Sequence, residues 1–93
     1  MEYFFLKLNR KQKTAQRILL SNFISLFNSK KDAIKYLNEE RNTKYRTDKL
    51  NVWLSGERKL PFQMADIMRA NLIKHWYSTD QANDLIKQLG FVQ

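Results

Sequence analysis

The residue types best suited to chemistry cluster in the stretch "TKYRTDKLNVWLSGERKLP", positions 43–61. Arg46, Thr47, Lys49, Asn51 and Val52 lie within it, and each has a partner on the edge of a base pair. Asn can pair with adenine through a donor and an acceptor, Lys can donate to guanine, and Val can touch the thymine methyl group. Lys44, Arg46, Arg58 and Lys59 stand at the two ends of this short segment, where the phosphates of a duplex would flank a helix lying in a groove. An ordinary amphipathic helix with a hydrated polar face has the same composition, so residue types alone leave both readings open.

Other chemistries find little material. There is no cysteine, which excludes disulfides and thiolate metal sites, and His75 is the one histidine, too few for a histidine metal cluster. Glu39 and Glu40 are adjacent and project from different sides of a helix, which makes them a poor acid–base pair. No glycine-rich phosphate loop is present. The expectation is a protein that is not an enzyme and has no cofactor, metal or small-molecule ligand.

The net charge is +8, and it is unevenly spread. Residues 1–31 carry seven basic side chains against one acidic, residues 32–59 seven against five, and residues 60–93 three against three. The whole excess therefore lies in the first two-thirds, where a polyanion would be drawn by counterion release. No apolar run approaches the roughly 18 residues of a membrane helix. The opening "MEYFFLKLNRKQ" places its apolar block before its basic one, the reverse of a secretion signal. A cytoplasmic, nucleoid-associated protein with no membrane partner is expected.

Elements must hold that polar cluster in place. Ninety-three residues suffice for one domain, 1–93, and two glycines with one proline are too few for the turns of an all-β fold. The apolar spacing predicts a first helix over 11–27, with Ala15, Leu19, Phe23, Leu26 and Phe27 on one face and Ile18 beside them. Ser29 with Asp32 resembles a capping box and opens a second helix over 30–41 that buries Ala33, Ile34 and Leu37. Thr47 is placed to cap a third helix over 47–55, held down by Leu50, Trp53 and Leu54 and ended by Gly56. Pro61 suits the first turn of a fourth helix, with Ala65, Met68 and Leu72 inward and Phe62, Ile67 and Trp76 flanking. Ser78 and Gln81 start a fifth, which Gly90 and Phe91 close. The segment "YFFLKL", 3–8, reads as a short strand or as an extended stretch tucked on the core. The class is all-α, about five helices around one core.

The segment "YRTDKLNVWLSGERKLP" resembles the recognition-helix region of the Cro and lambda-repressor-like helix-turn-helix family. Tyr45, Leu50, Trp53, Gly56, Arg58, Lys59 and Pro61 occupy that pattern in register, and "DAIKYL" upstream is similar to the first motif helix through Ala33 and Leu37. The likeness spans about 30–75, with the motif core near 30–60. One departure is plain: "NEERNTK" lies between Leu37 and Tyr45, roughly six residues more than the tight turn usual in that family, and it lacks the usual glycine. Either the first motif helix runs on or the turn is an enlarged loop.

The resemblance implies that the third helix enters a major groove while the preceding one crosses the backbone. It implies base contacts from Arg46, Thr47, Lys49, Asn51 and Val52, and phosphate contacts from Lys30, Lys31, Lys44, Ser55, Arg58 and Lys59. Asp48 is expected as a helix-start charge and Trp53 as core. The implied function is a transcriptional regulator of the phage or mobile-element repressor type, a homodimer on a palindromic double-stranded operator. The dimer contact would use the fifth helix with "GFVQ" or the N-terminal "YFFLKL". A second reading keeps the fold but not the DNA contact: a phage inhibitor or antitoxin that uses its helices on a protein.

Overall fold

Asn9 opens the first helix through a reciprocal pair of bonds. Its side-chain oxygen accepts from the Gln12 backbone N–H at 2.8 Å, and the Gln12 carboxamide oxygen accepts from the Asn9 N–H at 3.0 Å. The computed structural model describes residues 8–75 and 77–91, and among these it is all-α, without strands. Its helices are α1 (Arg10–Ile24), α2 (Lys30–Arg41), α3 (Thr47–Ser55), α4 (Phe62–His75) and α5 (Thr79–Gln88). The expected N-terminal strand and Trp76 lie outside the described residues, apart from Leu8, which is buried.

Most helix ends follow their local chemistry. The Ser29 and Ser78 hydroxyls accept from the N–H of Asp32 at 3.2 Å and of Gln81 at 3.0 Å. Gly56, at φ 80°, ends α3 in the left-handed region. Beyond α5 the N–H of Phe91 donates to the Ile86 carbonyl and that of Gly90 to Lys87, the two bonds of a Schellman closure. Phe91 then folds back onto the core and meets the Phe62 ring edge-on, with centroids 5.2 Å apart.

Four local expectations are corrected. α1 ends at Ile24, three residues early, because Leu26 and Phe27 donate back to Phe23 and Ile24 in a tighter turn. That turn sets the Phe27 ring 5.0 Å from Phe23 and 5.5 Å from Tyr36. Thr47 is no cap: Arg46 holds that position, without a side-chain cap bond, and Thr47 is the first helical residue. Pro61 precedes α4, its carbonyl accepting the Ala65 N–H at 3.0 Å. Ile18 is 37% exposed, because the buried stripe runs through Ala15, Gln16, Leu19, Leu20 and Phe23, which centres it slightly further round the helix and leaves Ile18 beyond its edge.

α1 touches each of the other four helices, and this central place explains its wide buried stripe. Ala33, Ile34 and Leu37 of α2, Leu50 and Trp53 of α3, Met64, Ala65, Met68 and Leu72 of α4, and Leu85 and Ile86 of α5 join it in one cluster. Trp53, 1% exposed, is the largest member.

Among the described residues one polar side chain, Gln16, is buried completely. Gln16 donates from Nε2 to the carbonyl of Trp53 at 2.7 Å and of Arg58 at 2.9 Å. Its Oε1 accepts the Leu60 N–H at 2.8 Å. The amide thus ties the end of α3 to the connection that leads into α4: it serves the Leu60 N–H and the Arg58 carbonyl, and adds a second donor to the Trp53 carbonyl, which also accepts the Gly56 N–H at 3.2 Å. Gln16→Leu keeps the size but removes the partner of the buried Leu60 N–H and of the Arg58 carbonyl, so urea unfolding should show a loss of about 2–4 kcal/mol with an unchanged m-value. A loss below about 0.5 kcal/mol would mean that water or a backbone shift replaces the amide.

Candidate nucleic-acid interface

Leu50 and Trp53 fix which side of α3 faces inward. At 100° per residue, the opposite side carries Asp48, Val52 and Ser55, with Asn51 on one flank and Lys49 on the other. Arg46, Asp48, Asn51 and Ser55 are exposed; Thr47, Lys49 and Val52 are half-buried. Lys30, Lys31, Lys44 and Arg58 are exposed and Lys59 is half-buried.

These candidates do not act alike. Lys30, the first residue of α2, reaches across to α3 and donates from Nζ to Asn51 Oδ1 at 2.7 Å. A residue expected on phosphate and one expected on a base thus form a single unit. Lys49 leans the other way, its ammonium 5.6 Å from the centre of the Tyr45 ring and 5.7 Å from that of Trp53, within cation–π range. Tyr45 and Trp53 pack edge-on at 5.4 Å, so Lys49 roofs an aromatic corner rather than extending beside Asn51. Lys59 is turned toward α5, with Nζ 4.5 Å from the centre of the Phe91 ring. Ser55 is engaged locally: its hydroxyl donates to the Val52 carbonyl at 2.8 Å and accepts the Glu57 N–H at 3.2 Å. Among the described residues Lys31, Lys44, Arg46 and Arg58 carry no side-chain contact of this kind.

Charge is left open on this side of the molecule. Among the described residues the one ion pair is Arg69–Asp66 at 2.6 Å, on α4. None of Lys30, Lys31, Lys44, Arg46, Lys49, Arg58 or Lys59 has a carboxylate partner there. Unpaired surface cations repel one another at some cost in stability and attract polyanions. Asp48, in the first turn of α3, sits where a negative charge favours the helix. Among the described residues no group of His, Cys, Asp and Glu is placed to hold a metal, and no helix is long and apolar enough to cross a membrane.

The α2–α3 connection resolves the alternatives left by "NEERNTK". α2 runs on through Arg41, and Asn42, at φ 54° and ψ 48°, takes the left-handed conformation usually given to glycine. Five residues, 42–46, then join the helices. Asn38, near the end of α2, organises them. Its Oδ1 accepts from the Thr43 hydroxyl at 2.8 Å and the Tyr45 N–H at 2.9 Å, and its Nδ2 donates to the Tyr45 carbonyl at 2.9 Å. Its backbone carbonyl accepts the Thr43 N–H at 3.0 Å.

Asn38, Asn42 and Gln16 are not among the residues that the sequence singles out. Asn42 carried a signal, since asparagine is the usual substitute for glycine after a helix. Gln16 carried a weaker one, as a polar residue inside the arc of Ala15, Leu19 and Leu20, which Gln12 shares. Asn38 carried none, because its partners become neighbours only once the chain has turned. Asn38→Ala should lower stability by about 1–3 kcal/mol in urea unfolding and raise amide exchange at Thr43 and Tyr45. Unchanged exchange at both would show that the loop holds its shape without the carboxamide. The chain matches no family model, no curated protein and no solved structure.

Proposed function

We propose that this protein binds double-stranded DNA sequence-specifically and regulates transcription, reading the major groove with α3. The observation that carries this reading is the exposed polar flank of α3, where Asn51 and Lys30 meet, bracketed by cations without carboxylate partners: Lys44 and Arg46 before the helix, Arg58 after it. Base edges call for the donors and acceptors of the first group, and phosphates for the charge of the second. Arg46, Thr47, Asn51 and Val52 are the base-facing set. Lys49 joins them by leaving the Tyr45–Trp53 corner when a duplex is present. Lys30, Lys31, Lys44, Ser55 and Arg58 face the backbone, with Lys59 at its margin. The helix-turn-helix resemblance of 30–75 supports the same docking, with α2 crossing the backbone.

A helix of nine residues spans few base pairs, so two copies related by a two-fold on a palindromic operator supply the needed specificity. A repressor of the phage or mobile-element type, cytoplasmic and nucleoid-associated, would act this way by excluding polymerase. The competing reading is a protein-binding module on the same fold. It is favoured by Asp48, a carboxylate on the outward side of α3 that disfavours phosphate.

A mobility shift on random duplex at low salt separates the two, since absence of any complex rules out the DNA reading. On a selected site, Asn51→Ala should cost about 1–3 kcal/mol of affinity and much less on random duplex. Equal losses on both would remove Asn51 from base reading. Arg58→Ala should weaken binding to all sequences and flatten the salt dependence by about one unit of log–log slope; an unaltered slope would place Arg58 away from phosphate.

A further inference from the structure

The bond between Lys30 and Asn51 has a consequence for base preference, resting on the DNA reading above. A lysine ammonium has three donors and no acceptor, so the Asn51 atom facing it at 2.7 Å is necessarily the carbonyl oxygen. The other branch of the carboxamide is the amide nitrogen, with two donors. Lys30 itself keeps further donors to spare. Taken together, the pair offers several hydrogen-bond donors and a positive charge, against one lone pair left on Asn51 Oδ1 beside the ammonium.

That matters because the purine edges differ. Adenine presents an acceptor at N7 and a donor at N6, and an asparagine reads it by using oxygen and nitrogen together. Guanine presents two acceptors, N7 and O6, and lysine and arginine are its usual partners. We infer that Lys30 is a specificity-determining residue: by holding Asn51 Oδ1 and setting its own donors beside it, it tilts the Lys30–Asn51 pair toward the two acceptors of guanine.

The scaffold keeps the two residues together. Lys30 is the first residue of α2, whose start is set by the Ser29 hydroxyl on the Asp32 N–H. Asn51 follows Leu50, which is fully buried and shares its core cluster with Ala33, Ile34 and Leu37 of α2. No carboxylate competes for Lys30 among the described residues. Entry into a groove removes water from the bond, and a lower local dielectric strengthens it. Lys31 is also exposed and lies 100° round α2, without a bond to Asn51, which makes it a charge-matched control.

The test is selection from random duplex DNA at low salt with the full chain and with K30M, K31M and N51A. The base position that loses its preference in N51A is the one Asn51 reads. The unaltered chain should select guanine over adenine there by about tenfold. K30M should abolish that preference or reverse it toward adenine, whereas K31M should weaken binding to all sequences and leave it intact. Both lysines are exposed in the first turn of α2, so neither change removes core packing. Adenine selected by the unaltered chain, or a guanine preference that survives K30M or falls equally in K31M, overturns the inference while leaving the DNA reading standing. A chain that selects no duplex at all overturns the DNA reading and the inference with it. In the free protein, the Asn51 side-chain amide resonances should move in K30M and stay in K31M; resonances unmoved by K30M overturn the pairing itself, with no DNA present.

Discussion

The buried carboxamide of Gln16 is the constraint on which the outer half of the molecule depends. Leu50 and Trp53 determine how α3 is rotated, but burial is non-directional and does not set where the chain goes once the helix ends. Gln16 does so through directional bonds to the carbonyls of Trp53 and Arg58 and the N–H of Leu60. A polar group in a dry core is costly unless its partners are met, and here the same three contacts satisfy both sides. The turn after α3 also passes close beneath α1. A Cβ built on Gly56 would lie 2.6 Å from Lys13 Cγ, so bare backbone and a positive φ are both required there.

A similar device works at the other end of α3. Asn38 receives and gives bonds across 43–45, and Asn42 supplies the left-handed residue that lets α2 stop. The start of α3 needs this support because Arg46 makes no side-chain cap bond. Two asparagines and a glutamine therefore present a short helix whose own start lacks a side-chain cap. The cations around it are treated differently: none is neutralised by a carboxylate among the described residues, and two are laid over aromatic rings. Lys49 and Lys59 use their stems as packing surface while the ammonium stays near water.

Much of the fold could be read from the chain because its signals are local. Ser29 and Ser78 bond to a backbone N–H three residues on, and Gly90 with Phe91 closes α5 within six residues. The misjudged ends were also local, but balanced. Thr47 and Arg46 compete for one position, and it falls to Arg46, next to Tyr45, whose ring packs edge-on against Trp53. At α1, apolar residues 18, 26 and 27 suggested a longer helix on a slightly different face. The true stripe includes a glutamine, and periodicity of apolar residues cannot count a polar one as core.

The amino-acid order by itself determined the helical class, the near-boundaries of α2 to α5, the inward set of α3 and the concentration of positive charge in the first two-thirds. Each follows from residue type and from neighbours three or four positions apart, which a helix always brings together. Tertiary structure alone decided that Gln16 meets Leu60 across 44 residues, that Lys30 meets Asn51 across 21, and that Lys49 and Lys59 turn to rings instead of outward. Those contacts depend on how helices are rotated and crossed. Rotation is set by the summed burial of the whole core, so no short stretch of sequence contains it.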